Sequence, residues 1–459
     1  MSKHFISTVR TSVFRGLLWF YRNVPLSIRQ KRRIGNFALR LWPKLTTETM
    51  LAKSRSLSRT LASHLQPSRH DDMLPSKILV IEHRIPTPDR MSGSVRLDAI
   101  LELLAQDGCP ITFVSDSEKR AYAGILGDVD REIGRYEQRL SQLGIDHLFG
   151  EQAAIRHLAE HGDDYFLIFL SYPEIMNRYA PYCAYFAPQA TVVYDTVDLH
   201  HIRFLREYQT SGDTALRERA ELYRKMEIAN IRAADRVIAI TPTEAQIIRD
   251  LVPTSSTMVI PNIHKVAVES GTIPDATDRR GLLFIGNYLH TPNEDAVFYF
   301  CKAIFPLVQE RLPDIELFLL GAAMPDRIRA LQSESIQTIG YVEDPQPYFD
   351  RCRVFVAPLR YGAGMKGKIG QSLAFGLPVV TTSIGAEGMA IEHERHAMIA
   401  DTPEAFAQAI VALHTNADLW RMLSGNGREH IKTHFSRSTM VPVLRQIITD
   451  ARQACYHEA

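Results

Sequence analysis

The chain has 459 residues, 45% of them hydrophobic and 23% charged, and its formal net charge at pH 7 is +1. This length predicts two or three domains with sizeable cores, and the composition is that of an ordinary soluble globular protein. The cysteines are odd in number and include no C-x-x-C pair, which argues against a zinc site and favours reduced thiols in a cytosolic setting.

The first 70 residues are strongly basic, with 14 Lys or Arg against a single acidic residue, Glu48. Apolar residues recur between the basic ones at helical spacing: Val13, Phe14, Leu17, Leu18 and Tyr21, then Ile34, Phe37 and Leu41. The pattern predicts a basic amphipathic helical extension over residues 1–75, whose apolar runs are too short to span a bilayer or to act as a signal peptide. We expect it to hold a cytoplasmic protein on the anionic inner face of the cytoplasmic membrane. Nucleic acid is a rival partner that we do not expect, and docking on the protein's own acidic body is an open alternative.

Strand-like runs alternate with helical patterns from Ser76 onward, which predicts two parallel α/β domains. In residues 76–265 the runs are Lys77–Glu82, Ile111–Asp116, Phe166–Leu170, Thr191–Asp195, Arg236–Thr241 and Thr257–Asn262. A polar linker between His264 and Arg280 breaks the alternation, which restarts within residues 266–435. The later runs are Gly281–Gly286, Ile315–Gly321, Ile336–Tyr341, Val354–Ala357, Pro378–Thr382 and Ala397–Asp401. Both domains are therefore predicted to be parallel α/β domains, and residues 436–459 are expected to form a helix that packs back on the first domain.

The segment 354–388 reads VFVAPLRYGAGMKGKIGQSLAFGLPVVTTSIGAEG, which predicts a buried strand, a glycine-rich turn, a helix and a second buried strand. Gly362 and Gly364 allow positive φ and close approach to a ligand, while the helix start adds unpaired N–H groups and the positive end of its dipole. Lys366 and Lys368 add full charge. The turn is therefore predicted to hold a diphosphate, with an ordinary surface turn as the alternative.

Two further glycine-rich turns follow predicted strands of the second domain. One contains Gly286 and Asn287, and the other runs from Ile384 to Gly388. Because the carboxyl ends of parallel strands meet at one edge of an open sheet, where ligands bind, we expect all three turns to line one site.

Several motifs carry a family resemblance. In the second domain they are FIG at 284–286, HTPNEDA at 290–296, LPD at 312–314 and the whole segment 354–388. In the first domain they are Gly93 and Arg96 after the first strand, YDTVDLH at 194–200, ADRVIA at 234–239 and PN at 261–262. With these motifs, nearly everything after residue 75 resembles glycosyltransferases of the GT-B fold, in the large retaining group called family 4, or group 1.

The resemblance implies two Rossmann-like domains facing a cleft, in which a sugar leaves its nucleotide with retention of configuration and without a metal or another cofactor. The departing diphosphate gains negative charge, which preorganised cations and N–H dipoles stabilise. Lys366 and Lys368 are our candidates for that task, and Lys366 is counted as catalytic. The other expected donor-binding residues are Gly286, Asn287, Gly362, Ala363, Gly364, Gln371 and Glu387.

The chain departs from the family pattern at two places. Many members carry two Glu residues eight positions apart, one contacting the transferred sugar and one the ribose, and these align with Ala363 and Gln371. Gln371 can still hydrogen-bond two hydroxyls, and Glu387 is the candidate substitute for the sugar-contacting carboxylate. Many members also place an Arg and a Lys just after the first strand of this domain, where positions 287, 288 and 292 are Asn, Tyr and Pro. The lysines of the 362–368 loop are expected to replace them.

Polar residues of the first domain follow its predicted strands and can face the same cleft. Asp198 aligns with the polar residue that family members place near the reacting centre, so we assign Asp198 and His200 to catalysis, by orienting a hydroxyl or assisting proton transfer. The alternative for His200 is a buried, hydrogen-bonded structural role. Gly93, Arg96 and Asp195 are assigned to the acceptor side, and packing is an equally open role for Arg96.

Three functions fit these observations. The leading one is a hexosyltransferase that extends a growing, lipid-linked cell-surface glycan such as lipopolysaccharide or capsule. A sugar-nucleotide epimerase shares the two-domain fold, and a catalytically silent nucleotide- or glycan-binding protein fits the missing carboxylates.

Overall fold

The computed structural model describes residues 75–122, 129–266, 274–362 and 364–457. Residues 1–74 of the predicted basic extension therefore lie outside the described part of the chain. The described residues form two α/β lobes, each built on one sheet of parallel strands, which confirms the predicted fold class. No helix in these ranges is long and apolar enough to cross a bilayer.

The first lobe contains a seven-stranded sheet. Its strands are β1 (Lys77–Glu82), β2 (Ile111–Ser115), β3 (Ile145–Phe149), β4 (Tyr165–Ser171), β5 (Thr191–Asp195), β6 (Arg236–Ala239) and β7 (Thr257–Val259). They lie in the order β3-β2-β1-β4-β5-β6-β7, with Ile78 of β1 opposite Ile111 on one side and Leu167 on the other. The helices are α1 (Ser92–Gln106), α2 (Val129–Gln142), α3 (Glu151–His161), α4 (Pro173–Phe186), α5 (His200–Ser211), α6 (Thr214–Ala233) and α7 (Pro242–Leu251).

The second lobe contains a six-stranded sheet. Its strands are β8 (Leu282–Ile285), β9 (Leu317–Leu320), β10 (Ile336–Gly340), β11 (Val354–Ala357), β12 (Val379–Thr381) and β13 (Met398–Ile399), in the order β10-β9-β8-β11-β12-β13. The helices are α8 (Thr291–Tyr299), α9 (Phe305–Gln309), α10 (Asp326–Arg329), α11 (Gln346–Arg351), α12 (Gly367–Ala374), α13 (Ser383–Ala386), α14 (Pro403–Thr415) and α15 (Ala417–Phe435). All six predicted strands of this lobe are present.

The last helix, α16 (Arg437–His457), returns to the first lobe. Its apolar residues Leu444 and Ile447 are buried in the same core cluster as Ile78 and Val80 of β1. The chain thus crosses between the lobes twice, once near His264 and once near Ser436, and these two segments pair with each other. The loop after β5 contacts the turn after β11, so the carboxyl edges of the two sheets lie opposite each other.

Candidate functional site

The predicted glycine turn lies directly after the buried strand β11. Gly362 and Gly364 have φ angles of 140° and 67°, conformations that residues with a Cβ rarely adopt. A Cβ added to Gly364 would lie 3.3 Å from the Cβ of Asp198. The turn therefore contacts the loop of residues 196–199 in the first lobe, which we call the acidic loop. Its glycines therefore permit a close approach between the two lobes, and Ala363 lies outside the described residues.

The two lysines of the turn donate hydrogen bonds to groups of the second lobe. Lys366 Nζ donates a hydrogen bond to the carbonyl of Gly364 at 2.6 Å, and Lys368 Nζ donates to Asn293 Oδ1 of α8. Burial lowers the pKa of Lys366 to about 8, against the attraction of Glu387, and burial together with the neighbouring Lys366 lowers the pKa of Lys368 to about 7. An anion that enters beside them would reverse these shifts by favouring the charged ammonium groups.

The start of α12 adds main-chain donors to the same place. Lys366 is its N-cap residue and makes no side-chain cap hydrogen bond, so the first N–H groups of the helix are not capped by that side chain. Gln371 lies half-buried on the same helix. Two cationic side chains and a helix N-terminus therefore converge, which is the arrangement that binds phosphate.

Gly286 and Asn287 follow β8 at the same edge of the sheet. A Cβ at Gly286 would lie 3.0 Å from side-chain atoms of Asn293 and Phe284, so a larger residue here would press on both side chains. Asn287 Nδ2 donates to the carbonyl of Arg90 in the first lobe at 3.2 Å, and its Oδ1 accepts from the N–H of Leu289 at 2.9 Å. The structure thus places Asn287 at an interlobe contact, while its role in donor binding stays a prediction.

Glu387 is held from across the cleft. Both guanidinium nitrogens of Arg206, on α5 of the first lobe, contact its carboxylate at 2.5 and 2.7 Å, and the same guanidinium donates to the carbonyl of Gly362 at 3.0 Å. The sequence offers no signal for this arginine, which is one of two in its helix and lies 181 positions before Glu387. Glu387 therefore lies beside the glycine turn, as its predicted role requires, but with a partner that was not foreseen.

Asp198 faces the turn from the first lobe. Its carboxylate lies 2.8 Å from His200 Nδ1 and 2.9 Å from Arg203 Nη1. Burial alone would raise the pKa of Asp198, but the charges of His200 and Arg203 outweigh it and hold this pKa well below its usual range. The neighbouring Val197 has a φ of 61°, a strained conformation for a β-branched residue. The loop thus fixes an ionised carboxylate in the cleft.

His200 is tied to this carboxylate and to an aromatic ring. Burial lowers its pKa, but Asp198 outweighs that effect, so the pKa of His200 lies above its ordinary value. Its ring stacks on Tyr223 of α6 with centroids 5.4 Å apart. Asp198 and His200 therefore each favour the charged form of the other.

The residues predicted for the acceptor side form a buried ion pair. Arg96 of α1 donates to both carboxylate oxygens of Asp195, at 2.6 and 3.0 Å, and also to the carbonyl of Ile260. Both side chains are buried. Gly93 lies on the first turn of α1, where an added Cβ would be 3.7 Å from the hydroxyl of Tyr172. This geometry suits the packing role for Arg96, and the acceptor-side assignments remain predictions.

Three ionisable side chains near Asp198 were not singled out from the sequence. Glu174 of α4 accepts hydrogen bonds from His83 and Tyr223, which lower its pKa to about 2 although burial opposes the shift. His83 follows β1. Glu244 of α7 accepts a hydrogen bond from the N–H of Leu199. No group of three or more His, Cys, Asp or Glu side chains in residues 75–457, outside the three gaps, is arranged to hold a metal ion.

Comparison with solved structures shows which fold this arrangement belongs to. Sucrose-phosphate synthase from Thermosynechococcus elongatus superposes with a TM-score of 0.61 at 18% identity, over 83% of this chain and 100% of that one. HepE from Anabaena, in complex with UDP and glucose, superposes with a TM-score of 0.57 at 15% identity, over 82% and 100%. The described chain has the GT-B fold.

Comparison of sequences shows which family the second lobe resembles. Residues 279–416 match the family model described as glycosyl transferases group 1, which confirms the resemblance through the second lobe. An uncharacterized 44.6 kDa protein in the cps region of Klebsiella pneumoniae is 26% identical over 163 residues, 34% of this chain and 42% of that protein. The chain thus spans less than half the length of this relative.

Proposed function

We propose that the protein is a retaining, metal-independent glycosyltransferase that takes a hexose from a nucleotide-sugar. One observation carries this proposal: Lys366, Lys368 and the start of α12 converge at the carboxyl edge of the second sheet, directly opposite the ionised Asp198 of the first lobe. The lysines supply the charge that a departing diphosphate needs, and Asp198 with His200 lies where an acceptor hydroxyl would be oriented. The group 1 family match and the UDP and glucose bound by HepE support the same assignment.

The acceptor in this proposal is a growing, lipid-linked cell-surface glycan. Support comes from the relative in a cps region and from the basic first 70 residues, which would bring the cleft to the membrane that carries such acceptors. The protein is then a peripheral protein on the inner face of the cytoplasmic membrane.

A second candidate, a catalytically silent nucleotide-binding protein, has its own observation. The two carboxylates of the family pattern are replaced at positions 363 and 371, and the substitute Glu387 is already paired with Arg206. The glycosyltransferase proposal requires Arg206 to orient Glu387 for the sugar, whereas in a silent protein this pair only joins the lobes.

The experiment is a panel of UDP-, GDP- and ADP-sugars, with nucleoside diphosphate release measured with and without membrane-extracted glycan acceptors. We expect release with at least one donor, stimulated by acceptor, and a product whose new linkage keeps the donor's anomeric configuration. Binding without release would favour the silent protein, and a converted sugar-nucleotide without acceptor would favour an epimerase. EDTA treatment should leave the release rate unchanged if no metal takes part.

A further inference from the structure

Glu244 is a buried carboxyl group in the first turn of α7, at the carboxyl edge of the first sheet. Its residue is 6% exposed, and its N–H donates to the Thr241 side chain that caps the helix. Its Oε1 lies 3.4 Å from the N–H of Leu199, the residue after Asp198. Its Oε2 is buried and accepts no hydrogen bond from any described residue. Buried polar atoms without partners are uncommon in folded proteins, so this oxygen calls for a functional explanation.

The second lobe covers this carboxyl group. A Cβ at Gly364 would lie 3.7 Å from Glu244 Oε1, and a Cβ at Gly388 would collide with Thr241. The adjoining Ile240 is buried in a cluster of second-lobe residues that includes Met365. Glu244 thus lies at the contact between the acidic loop of one lobe and the glycine turn of the other.

The charges around Glu244 come from three elements. Asp198, on the loop before α5, repels the ionised carboxylate of Glu244. Lys366 on the glycine turn and Arg206 on α5 attract it. Burial, aided by Asp198, raises the pKa of Glu244 to about 7, although the N–H group of Leu199 and the charge of Lys366 oppose this shift. Near neutral pH the group is therefore divided between its two protonation states.

We propose that Glu244 is a positioning residue of the donor site that takes up a proton when the diphosphate binds beside Lys366. This inference rests on the proposed function. When ionised, Glu244 partly neutralises the positive charge of Lys366 and repels the incoming phosphates. When protonated, it leaves the full charge of Lys366 to the diphosphate, and the orphaned Oε2 no longer carries a buried negative charge. The protonated, neutral side chain of Glu244 thereby lies between the acidic loop and the glycine turn.

The test compares the binding of UDP, GDP and ADP to the wild type and to Glu244→Gln by isothermal titration calorimetry at pH 6 and pH 8. Glutamine copies the protonated shape and keeps an oxygen for the N–H of Leu199. With a pKa of about 7, roughly nine in ten wild-type molecules are ionised at pH 8 and one in ten at pH 6. We expect the variant to bind the preferred diphosphate about tenfold more tightly than the wild type at pH 8, and within about twofold at pH 6.

If Glu244 is purely structural, we expect no gain in affinity, because the variant would then bind the diphosphate equally or more weakly at both pH values. Glu218→Gln, on the exposed face of α6, is the matched control and should change neither affinity. Wild-type binding without a gain in Glu244→Gln at pH 8 overturns this inference alone, and no wild-type binding of any of the three diphosphates overturns it together with the proposed function. Should Glu244→Gln not fold, infrared difference spectra of the wild type decide: a new protonated-carboxyl band on adding the diphosphate at pH 8 supports the inference, and its absence refutes it.

Discussion

Lys366 and Lys368 are two positions apart, but their ammonium groups reach different partners. Lys366 bonds to the glycine turn itself, and Lys368 reaches Asn293 on α8 and lies 4.8 Å above the ring of Phe284. The two charges thus have separate positions near the turn, and a diphosphate has two phosphate groups. Their lowered pKa values mean that burying these charges costs free energy, which a bound anion relieves.

The lysines give a prediction for both mutation and pH. Lys366→Ala and Lys368→Ala should each weaken binding of the preferred nucleoside diphosphate by about tenfold or more, since a hydrogen bond to a charged group contributes about 1.5–3 kcal/mol. Wild-type affinity should be highest below pH 7 and fall as pH rises through the pKa values of about 7 and 8, where the ammonium groups lose their protons. Calorimetry measures the affinity of each variant and the pH dependence of the wild-type affinity, with Lys302→Ala at an exposed position as control. Unchanged affinity in both variants would remove the lysines from the site.

The buried pair of Arg96 and Asp195 gives a second prediction at this scale. Arg96→Met or Asp195→Asn leaves the other partner buried without its ion pair, so each should lower the free energy of unfolding by about 3–5 kcal/mol. Urea denaturation followed by circular dichroism measures the loss, and Arg217→Met on the exposed face of α6 is the control. Normal stability combined with lost transfer would instead indicate that these residues serve the acceptor.

At the scale of elements, the position of α12 depends on how closely it packs on the crossing segment. A Cβ at Gly370 would lie 2.8 Å from two ring carbons of His264, whose ring is buried and whose pKa burial lowers to about 4. The neutral ring therefore fixes the distance between the crossing segment and the helix whose N-terminus faces the cleft. A shift of α12 along this contact would move Lys366 and Lys368 together.

Gly370→Ala tests this packing. The added methyl group should force the helix and the His264 ring apart, lowering the free energy of unfolding by about 1–3 kcal/mol and weakening diphosphate binding. Gly425→Ala on α15 is the matched control, because an added Cβ there meets nothing within 4 Å. Alanine at position 425 should stabilise the helix by about 0.5–1 kcal/mol. Thermal unfolding and calorimetry on both variants would show the contrast, and equal behaviour of the two would contradict the packing argument.

Elements were predictable from sequence where their signal is local. Twelve strands appear as apolar runs between turn residues, but the edge strand β3 escaped prediction because Asp146 and His147 interrupt its apolar residues. The glycine turn with its two lysines was found because one short segment holds all its parts. Arg206 and Glu244 were not found, because only folding brings each of them to the site. Arg206 lies 181 positions before its partner Glu387, and Glu244 lies 45 positions after its partner Leu199.

For the whole molecule, contacts on either side of the cleft hold the lobes together. On one side Arg206 bonds to Glu387 and Gly362. On the other, Asp89 of the first lobe accepts a hydrogen bond from Tyr341 of the second, and the guanidinium of Arg90 lies 3.9 Å above the Tyr341 ring. These contacts are polar and partly exposed, unlike the apolar core that holds α16 on the first lobe. Polar interlobe contacts can exchange with water, so they suit a cleft that opens to admit a substrate.

Charge is divided unevenly over the whole chain. The 14 basic and one acidic residues of positions 1–70 give that segment +13, which leaves −12 for the remainder if the total is +1. An anionic membrane would therefore attract the first segment and repel the rest of the chain. If residues 1–70 instead dock on the rest of the chain, the positive and negative charges neutralise each other.

Vesicle binding separates these two arrangements. The full chain should sediment with vesicles that contain phosphatidylglycerol and not with vesicles of phosphatidylcholine alone, and added salt should weaken the binding because each basic residue contributes about 1 kcal/mol before screening. A variant without residues 1–70 should stay in the supernatant while keeping its diphosphate affinity, because the cleft residues lie outside that segment. Equal sedimentation of the truncated variant would show that the membrane contact, if any, belongs to the body. If the full chain stays in solution at low salt, the basic segment does not anchor the protein, and the docked arrangement becomes the better account of its charge.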